Sequence, residues 1–122
     1  MEQKTGKICL AELRIMEVLW EHGELPASQI YRILQDKIGW KKSTSYTVVG
    51  KCIEKGFIVR TEPHFVCRAL FSREEMQVGV IEEYADLYFG GSKKQLLLTF
   101  LKNTELTPEE MQSFRKLLEV YK

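Results

Sequence analysis

The 122-residue sequence contains little of what most enzymes and metal-binding proteins need. Its three cysteines lie far apart, without a Cys-x-x-Cys pair or a nearby histidine, so neither a disulfide framework nor a zinc site is expected. It has only two histidines, neither of which stands in a pattern with a nucleophile, and no glycine-rich phosphate loop. We therefore expect a protein that is not an enzyme and that uses no metal or cofactor.

Long hydrophobic runs are also missing. The sequence has no stretch of 18 apolar residues, and residues 1–5 lack the apolar character that export requires. We therefore expect a cytoplasmic protein. With 44% hydrophobic residues, the chain has enough apolar side chains for a core and a small helical appendage.

The sequence has almost no excess of charge of either sign, since its net charge is only +1. The distribution is more informative. Residues 1–72 carry 11 basic and 8 acidic side chains, a balance of +3, whereas residues 73–122 carry 7 basic and 9 acidic ones, a balance of −2. Within residues 37–60 there are six basic side chains and one acidic one. Such a local positive field suits contacts with phosphates.

Hydrophobic periodicity and helix-end signals predict six helices. Glycines after several of them mark the breaks, and Thr107 with Glu110 forms a capping-box pattern at the start of the last helix. The expected helices cover residues 10–21, 26–38, 43–55, 73–89 and 92–102, and a sixth begins at residue 108 and has Met111, Phe114, Leu117, Leu118 and Tyr121 along one side.

Residues 57–61 and 65–71 are rich in Phe, Val and Ile, and the intervening Glu62, Pro63 and His64 suit a turn. A short hairpin is therefore expected after the third helix. The fold class follows: mainly α, a winged helix-turn-helix with a small two-stranded wing in residues 1–72, then a three-helix C-terminal dimerisation segment in residues 73–122.

The third helix is the candidate DNA-reading element. At 100° per residue, its apolar side chains share one arc that must face the core, while hydroxyls, a glycine and a lysine share the other. Gly50 lies on this second arc, although glycine costs about 1 kcal/mol of helix propensity relative to alanine. The inner arc holds Val48, Val49, Cys52 and Ile53, and the outer arc holds Ser43, Thr47, Gly50, Lys51 and Glu54, with Thr44 and Tyr46 on its flanks.

Several candidate DNA contacts also have a simpler structural interpretation. Ser43 and Thr44 suit phosphate contacts or an ordinary helix cap, and Tyr46 suits a base contact or packing. Lys51 suits a phosphate contact more than a base edge. The full set of candidate DNA-binding residues is Lys41, Lys42, Ser43, Thr44, Tyr46, Thr47, Lys51 and Arg60, of which Arg60, like His64, is equally compatible with a solvated surface.

The last three helices are too apolar for a solvated tail and too few to enclose a core of their own, so pairing with a second chain is expected. A symmetric dimer would place two recognition helices about 34 to 36 Å apart on a palindromic site. The alternative is that these helices fold back on residues 1–72 as a monomer. The candidate dimerisation residues are Tyr84, Leu87, Tyr88, Leu97, Phe100, Leu101, Met111, Phe114, Leu117 and Leu118.

Several segments together resemble one known family. They are LAELRIM at residues 10–16 followed by Leu19 and Trp20, KCIEKGFI at 51–58, and YFGGS at 88–92 continuing through LLLTF at 96–100 to ELT at 105–107. They look like the penicillinase repressor family, which includes repressors of β-lactamase, methicillin resistance and copper transport. The resemblance spans nearly the whole chain.

The resemblance implies a homodimeric repressor on a palindromic operator in double-stranded DNA, controlling an antibiotic-resistance or transport operon. The family's recognition contacts fall here on Thr44, Tyr46 and Thr47. In its β-lactam branch a membrane sensor protease triggers inactivating cleavage within the fifth helix, at the bond that here joins Thr99 to Phe100. The copper branch uses C-terminal Cys-x-Cys motifs that this sequence lacks. The alternative function is a winged-helix module whose third helix binds protein, and the clustered basic residues count against it.

Overall fold

The structure of the protein is a computed structural model that describes residues 7–120. Within this range the order of elements is α1 (Leu10–His22), β1 (Leu25–Pro26), α2 (Ala27–Ile38), α3 (Lys42–Glu54), β2 (Ile58–Thr61), β3 (Val66–Ala69), α4 (Arg73–Phe89), α5 (Lys93–Asn103) and α6 (Pro108–Val120). The predicted fold class is confirmed: a mainly helical chain with a winged helix-turn-helix. The chain divides into two compact units after Gly79, within α4. The boundary proposed from the sequence, between residues 72 and 73, lies at the start of the same helix.

The predicted helices all form, with ends that shift by at most one residue. The largest difference in kind is at Pro26, which was expected to open the second helix. Pro26 has φ −62° and ψ 150°, an extended conformation, and precedes α2 as its cap. It is extended because it pairs with Val66 as part of β1.

The wing is the predicted hairpin with one strand added. β2 and β3 pair antiparallel, with Arg60 opposite Cys67, and β1 pairs with the other edge of β3. The resulting sheet has the order β1-β3-β2. A strand of two residues has no readable hydrophobic period, so the sequence pattern predicted two strands where the structure has three. In the turn between β2 and β3, His64 and Phe65 have positive φ angles of 76° and 51°.

The core of the first unit lies between α1, α2, α3 and the sheet. Trp20 joins the rim of this core to the chain beyond β3, because its Nε1 donates to the Phe71 carbonyl at 2.8 Å. The packing of the core covers the inner side of α3 and leaves its outer side exposed to solvent. The buried hydrophobic residues of this core are Ile15, Met16, Val18, Leu19, Ala27, Ile30, Leu34, Val48, Val49, Cys52, Phe57, Ile58, Cys67 and Met76.

The second unit is helical and poor in buried residues. Thr107 and Glu110 form the predicted capping box, with Thr107 N donating to Glu110 Oε1 at 2.9 Å and Glu110 N donating to Thr107 Oγ1 at 3.1 Å. No residue of α5 or α6 is buried. Tyr121, expected on the apolar side of the last helix, lies outside the described residues. Within residues 7–120 no helix is long and apolar enough to span a membrane.

Candidate nucleic-acid interface

Helix α3 has one buried side and one exposed side, as its periodicity predicts. The buried side includes Ser45, Val48, Val49 and Cys52. Among the candidate DNA-binding residues, Tyr46 is half-buried and all the others are exposed: Lys41, Lys42, Ser43, Thr44, Thr47, Lys51 and Arg60. The structure therefore brings the helix candidates to one accessible side of the winged-helix unit.

The first turn of α3 is basic and has no acidic residue. Lys41, rather than Ser43, occupies the N-cap position, and its side chain makes no capping hydrogen bond. Ser43 and Thr44 lie inside the helix, so the ordinary-cap interpretation of these two hydroxyls does not apply. The amide groups of a helix's first turn lack intrahelical acceptors, and together with lysines they favour an anion.

Tyr46 packs against the wing. Its ring meets the Phe65 ring edge-on, with 5.8 Å between the centroids, and Lys42 Nζ lies 5.8 Å from the Tyr46 centroid. The packing interpretation of Tyr46 is therefore correct for at least part of its surface. The contact also sets the wing beside the first turns of the recognition helix.

Thr47, Gly50 and Lys51 form the middle of the exposed side. They lie within about one helical turn of one another, which places them on neighbouring positions of one surface. At Gly50 an added Cβ would meet nothing within 4 Å, so the protein itself gives no steric reason for a glycine there. An exposed strip of a hydroxyl, a bare backbone and an ammonium group suits close approach to a polyanion.

In the wing, Arg60 is already engaged by neighbouring side chains. Its guanidinium carbon lies 3.5 Å from the centroid of the Phe65 ring, and its Nε donates to Glu62 Oε2. The other carboxylate oxygen of Glu62 accepts from the Phe65 amide at 3.3 Å. The hydrogen bond from Arg60, followed by that from the Phe65 amide, lowers the pKa of Glu62 below its ordinary value.

An ion pair missed by the sequence reasoning anchors the far end of α3. Glu12 is buried in α1, and its Oε1 accepts from Lys55 Nζ and from the Cys9 amide, each at 2.9 Å. Burial raises the pKa of Glu12, but the hydrogen bonds from Cys9 and Lys55 outweigh it and the pKa is lowered overall. The spacing of Cys9 and Glu12 resembles a capping box and could have signalled the local bond, whereas the partner 43 positions away carried no signal.

Burial also explains the state of two cysteines. It raises the pKa of Cys52 to about 12 and that of Cys67 to about 11. Both therefore stay protonated thiols near neutral pH, which makes them poor nucleophiles and poor metal ligands.

The ten candidate dimerisation residues are all exposed in the single chain. Tyr84 and Tyr88 stack on each other along α4, with their centroids 6.1 Å apart. The Thr99–Phe100 bond lies inside α5, and the Thr99 carbonyl accepts from Asn103 Nδ2 at 2.8 Å. The exposed apolar set comprises Tyr84, Leu87, Tyr88, Leu97, Phe100, Leu101, Met111, Phe114, Leu117 and Leu118.

The winged helix-turn-helix and its free third helix define a protein of the winged-helix class. A solved structure confirms this fold: the DNA-binding domain of the repressor BlaI aligns with a TM-score of 0.54 and 24% identity, over 61% of this chain and 93% of that domain. The chain belongs to the penicillinase repressor family, whose sequence profile matches residues 8–120. This is a family of transcriptional repressors and not of enzymes, and DNA is the partner that it implies.

Full-length relatives agree with this assignment. The methicillin resistance regulatory protein MecI of Staphylococcus aureus strain N315 is 24% identical over 120 residues, covering 97% of this chain and 98% of the relative. The penicillinase repressor of Bacillus licheniformis is 25% identical over 122 residues, covering 98% of this chain and 95% of the relative.

Proposed function

We propose that the protein is a homodimeric repressor that binds a palindromic operator in double-stranded DNA through α3. The observation that carries the proposal is the exposed side of α3, where hydroxyls and lysines surround an uncovered glycine. Phosphate contacts by Lys41 and Lys42 would position the helix, and Thr47 would face base edges. Lys51 is a candidate for a base edge too, although a phosphate contact suits it better. From its relatives' names, we further propose that the controlled genes form an antibiotic-resistance operon. A transport operon is the alternative that the family resemblance implies, and the protein is proposed to act in the cytoplasm.

Dimerisation is proposed from the exposed apolar residues of α4, α5 and α6. Leu118 is 69% exposed and Tyr88 is 72% exposed in the single chain. Burying such side chains against a second copy favours association by about 25 cal/mol for each Å² of apolar surface that leaves water. A dimer also compensates for the net charge of only +1, because two half-sites engaged together bind far more tightly than one.

The DNA proposal is tested by selecting duplexes from a random library with the wild-type protein. We expect an inverted repeat whose half-sites are centred about 10 base pairs apart or a multiple of that spacing. Binding to the selected duplex should weaken steeply as salt rises, with a slope proportional to the number of phosphates contacted. Failure to enrich any inverted repeat, with binding indifferent to salt, would indicate a protein-binding module instead.

Matched variants locate the two surfaces. Lys51→Ala and Thr47→Ala should lose discrimination between the selected duplex and random DNA while sedimenting as dimers. Leu118→Lys should sediment as a monomer and bind the duplex weakly although α3 is unchanged. If both α3 variants still discriminate, the recognition side is wrongly assigned.

Release from DNA is proposed to follow cleavage between Thr99 and Phe100 by a membrane sensor protease or a protein that it activates. Since the bond lies within α5, cleavage requires local unwinding of that helix. A cut there separates α6 from the DNA-binding unit and so removes part of the proposed dimer surface.

A further inference from the structure

Glu62 makes two contacts in the wing turn that match those a phosphate would make. One carboxylate oxygen accepts from Arg60 Nε and the other accepts from the Phe65 amide at 3.3 Å. A guanidinium and a backbone amide aimed at the two oxygens of one anion form a small anion site. A phosphodiester also presents two non-bridging oxygens, so it can replace a carboxylate in such a site.

Two features keep the donors in place when Glu62 leaves. The Arg60 guanidinium lies 3.5 Å from the centroid of the Phe65 ring, a stacking contact that does not involve Glu62. The Phe65 ring in turn meets Tyr46 of α3 edge-on at 5.8 Å. The site is thus fixed beside the recognition helix, whose first turn supplies Lys42 over the same Tyr46 ring.

Glu62 itself is free to move away from the site. Its side chain is 59% exposed and that of Arg60 is 46% exposed, so water can replace either partner. An exposed ion pair of this kind contributes little to folding. The main effect of the ion pair is on charge, because Glu62 neutralises Arg60, the only basic side chain of strand β2. It does so near the first turn of α3, which has no acidic residue.

We propose that Arg60 and the Phe65 amide form a binding site for a backbone phosphate of duplex DNA, and that Glu62 occupies this site in the free protein. The inference rests on the proposed DNA-binding function and adds a self-inhibitory contact to it. DNA must displace Glu62 to reach Arg60 Nε and the Phe65 amide. Because a phosphate contact carries no base sequence, Glu62 weakens binding to operator and random DNA by the same factor.

The test is a double-mutant cycle on duplex binding, measured by fluorescence anisotropy at several salt concentrations. Wild type, Glu62→Gln, Arg60→Ala and the double variant are each titrated with the selected inverted repeat and with a random duplex of equal length. Glu62→Gln should bind both duplexes several-fold more tightly and steepen the slope of log affinity against log salt by about 0.9 per protomer. Arg60→Ala should weaken wild-type binding, because it leaves Glu62 unpaired, and the double variant should bind no more tightly than wild type.

Glu105→Gln is the matched control, since it removes the same charge from an exposed position in the second unit. Its affinity should stay near that of wild type. An equal gain in Glu105→Gln, or a gain from Glu62→Gln that survives Arg60→Ala, would reduce the effect to net charge and overturn the inference. No gain in Glu62→Gln would overturn it as well. If wild type binds the inverted repeat in these experiments, such a result leaves the proposed function standing; if wild type binds neither duplex, both fail.

Discussion

Gly50→Ala should stabilise the protein and weaken its binding to DNA. Gly50 is exposed on α3, and the added methyl group would meet nothing within 4 Å. Alanine is favoured over glycine in a helix interior by about 1 kcal/mol. For a domain of about 60 to 100 residues, a gain of that size raises the midpoint of thermal unfolding by about 4 to 8 °C.

DNA binding should change in the opposite direction. If α3 lies in the groove with its Thr47, Gly50 and Lys51 side inward, the methyl group occupies space that the DNA backbone or a base edge needs. A loss of about 1.4 kcal/mol, which is a tenfold fall in affinity, is expected from pushing the helix away from its contacts. If Gly50 had no role in DNA binding, Gly50→Ala would raise stability without lowering affinity.

The assay pairs thermal unfolding followed by circular dichroism with anisotropy titrations of the selected duplex. Gly50→Leu serves as a second step in size, because its helix propensity is close to that of alanine while its side chain is much larger. It should keep most of the stabilisation and lose more affinity. An unchanged affinity in both variants would show that DNA does not approach Gly50, and a lowered unfolding midpoint in Gly50→Ala would contradict the helical environment itself.

Three further predictions concern the winged-helix unit and are read out by urea unfolding. Ser45→Ala should raise the free energy of unfolding by about 1 kcal/mol, because the buried Ser45 Oγ has no hydrogen-bond partner among the described residues; a destabilised variant would reveal a partner. Glu12→Gln should lower it by about 1 to 3 kcal/mol near neutral pH. Because the pKa of Glu12 is lowered in the folded state, the stabilisation by its carboxylate is complete above about pH 4.5 and is lost as the pH falls through the folded-state pKa. The free energies of unfolding of wild type and Glu12→Gln should therefore converge in acid. A gap that stays constant with pH would refute the role of the charge. Phe57→Ala should cost about 3 to 5 kcal/mol, since Phe57 is fully buried, and a cost near zero would mean that the core closes over the cavity.

Local signals were sufficient for most of the fold. The six helices, the glycine breaks and the 107–110 capping box each depend on residues close in sequence, which is why periodicity and cap chemistry predicted them. Strand β1 could not be predicted, because two residues acquire strand character only by pairing with β3. The Glu12 to Lys55 ion pair was equally invisible, since it joins helices that the chain pattern does not align.

The candidate site divides in the same way. The exposed side of α3 follows from a 100° rotation per residue, so the residues that face solvent were predictable. The contacts of the candidate side chains were not predictable: the Tyr46 ring packs against Phe65 in the wing, and Arg60 donates a hydrogen bond to Glu62. The Tyr46 contact depends on how the hairpin folds over α3, and the Arg60 contact depends on the conformation of the hairpin turn itself. The sequence pattern specifies neither.

The distribution of buried residues predicts that the proposed DNA binding depends on protein concentration. The first unit contains nearly the whole core, whereas among residues 80–120 only Ala85 is buried. A helical segment with so little of its apolar surface covered gains most of its stability from association, so its order and the proposed dimer form together. Dilution should then lower helix content in the second unit and operator affinity over the same concentration range, while the winged-helix unit stays folded. On the same reasoning, the proposed cleavage between Thr99 and Phe100 should release the proposed operator without changing α3, because one half-site alone retains only its own phosphate contacts.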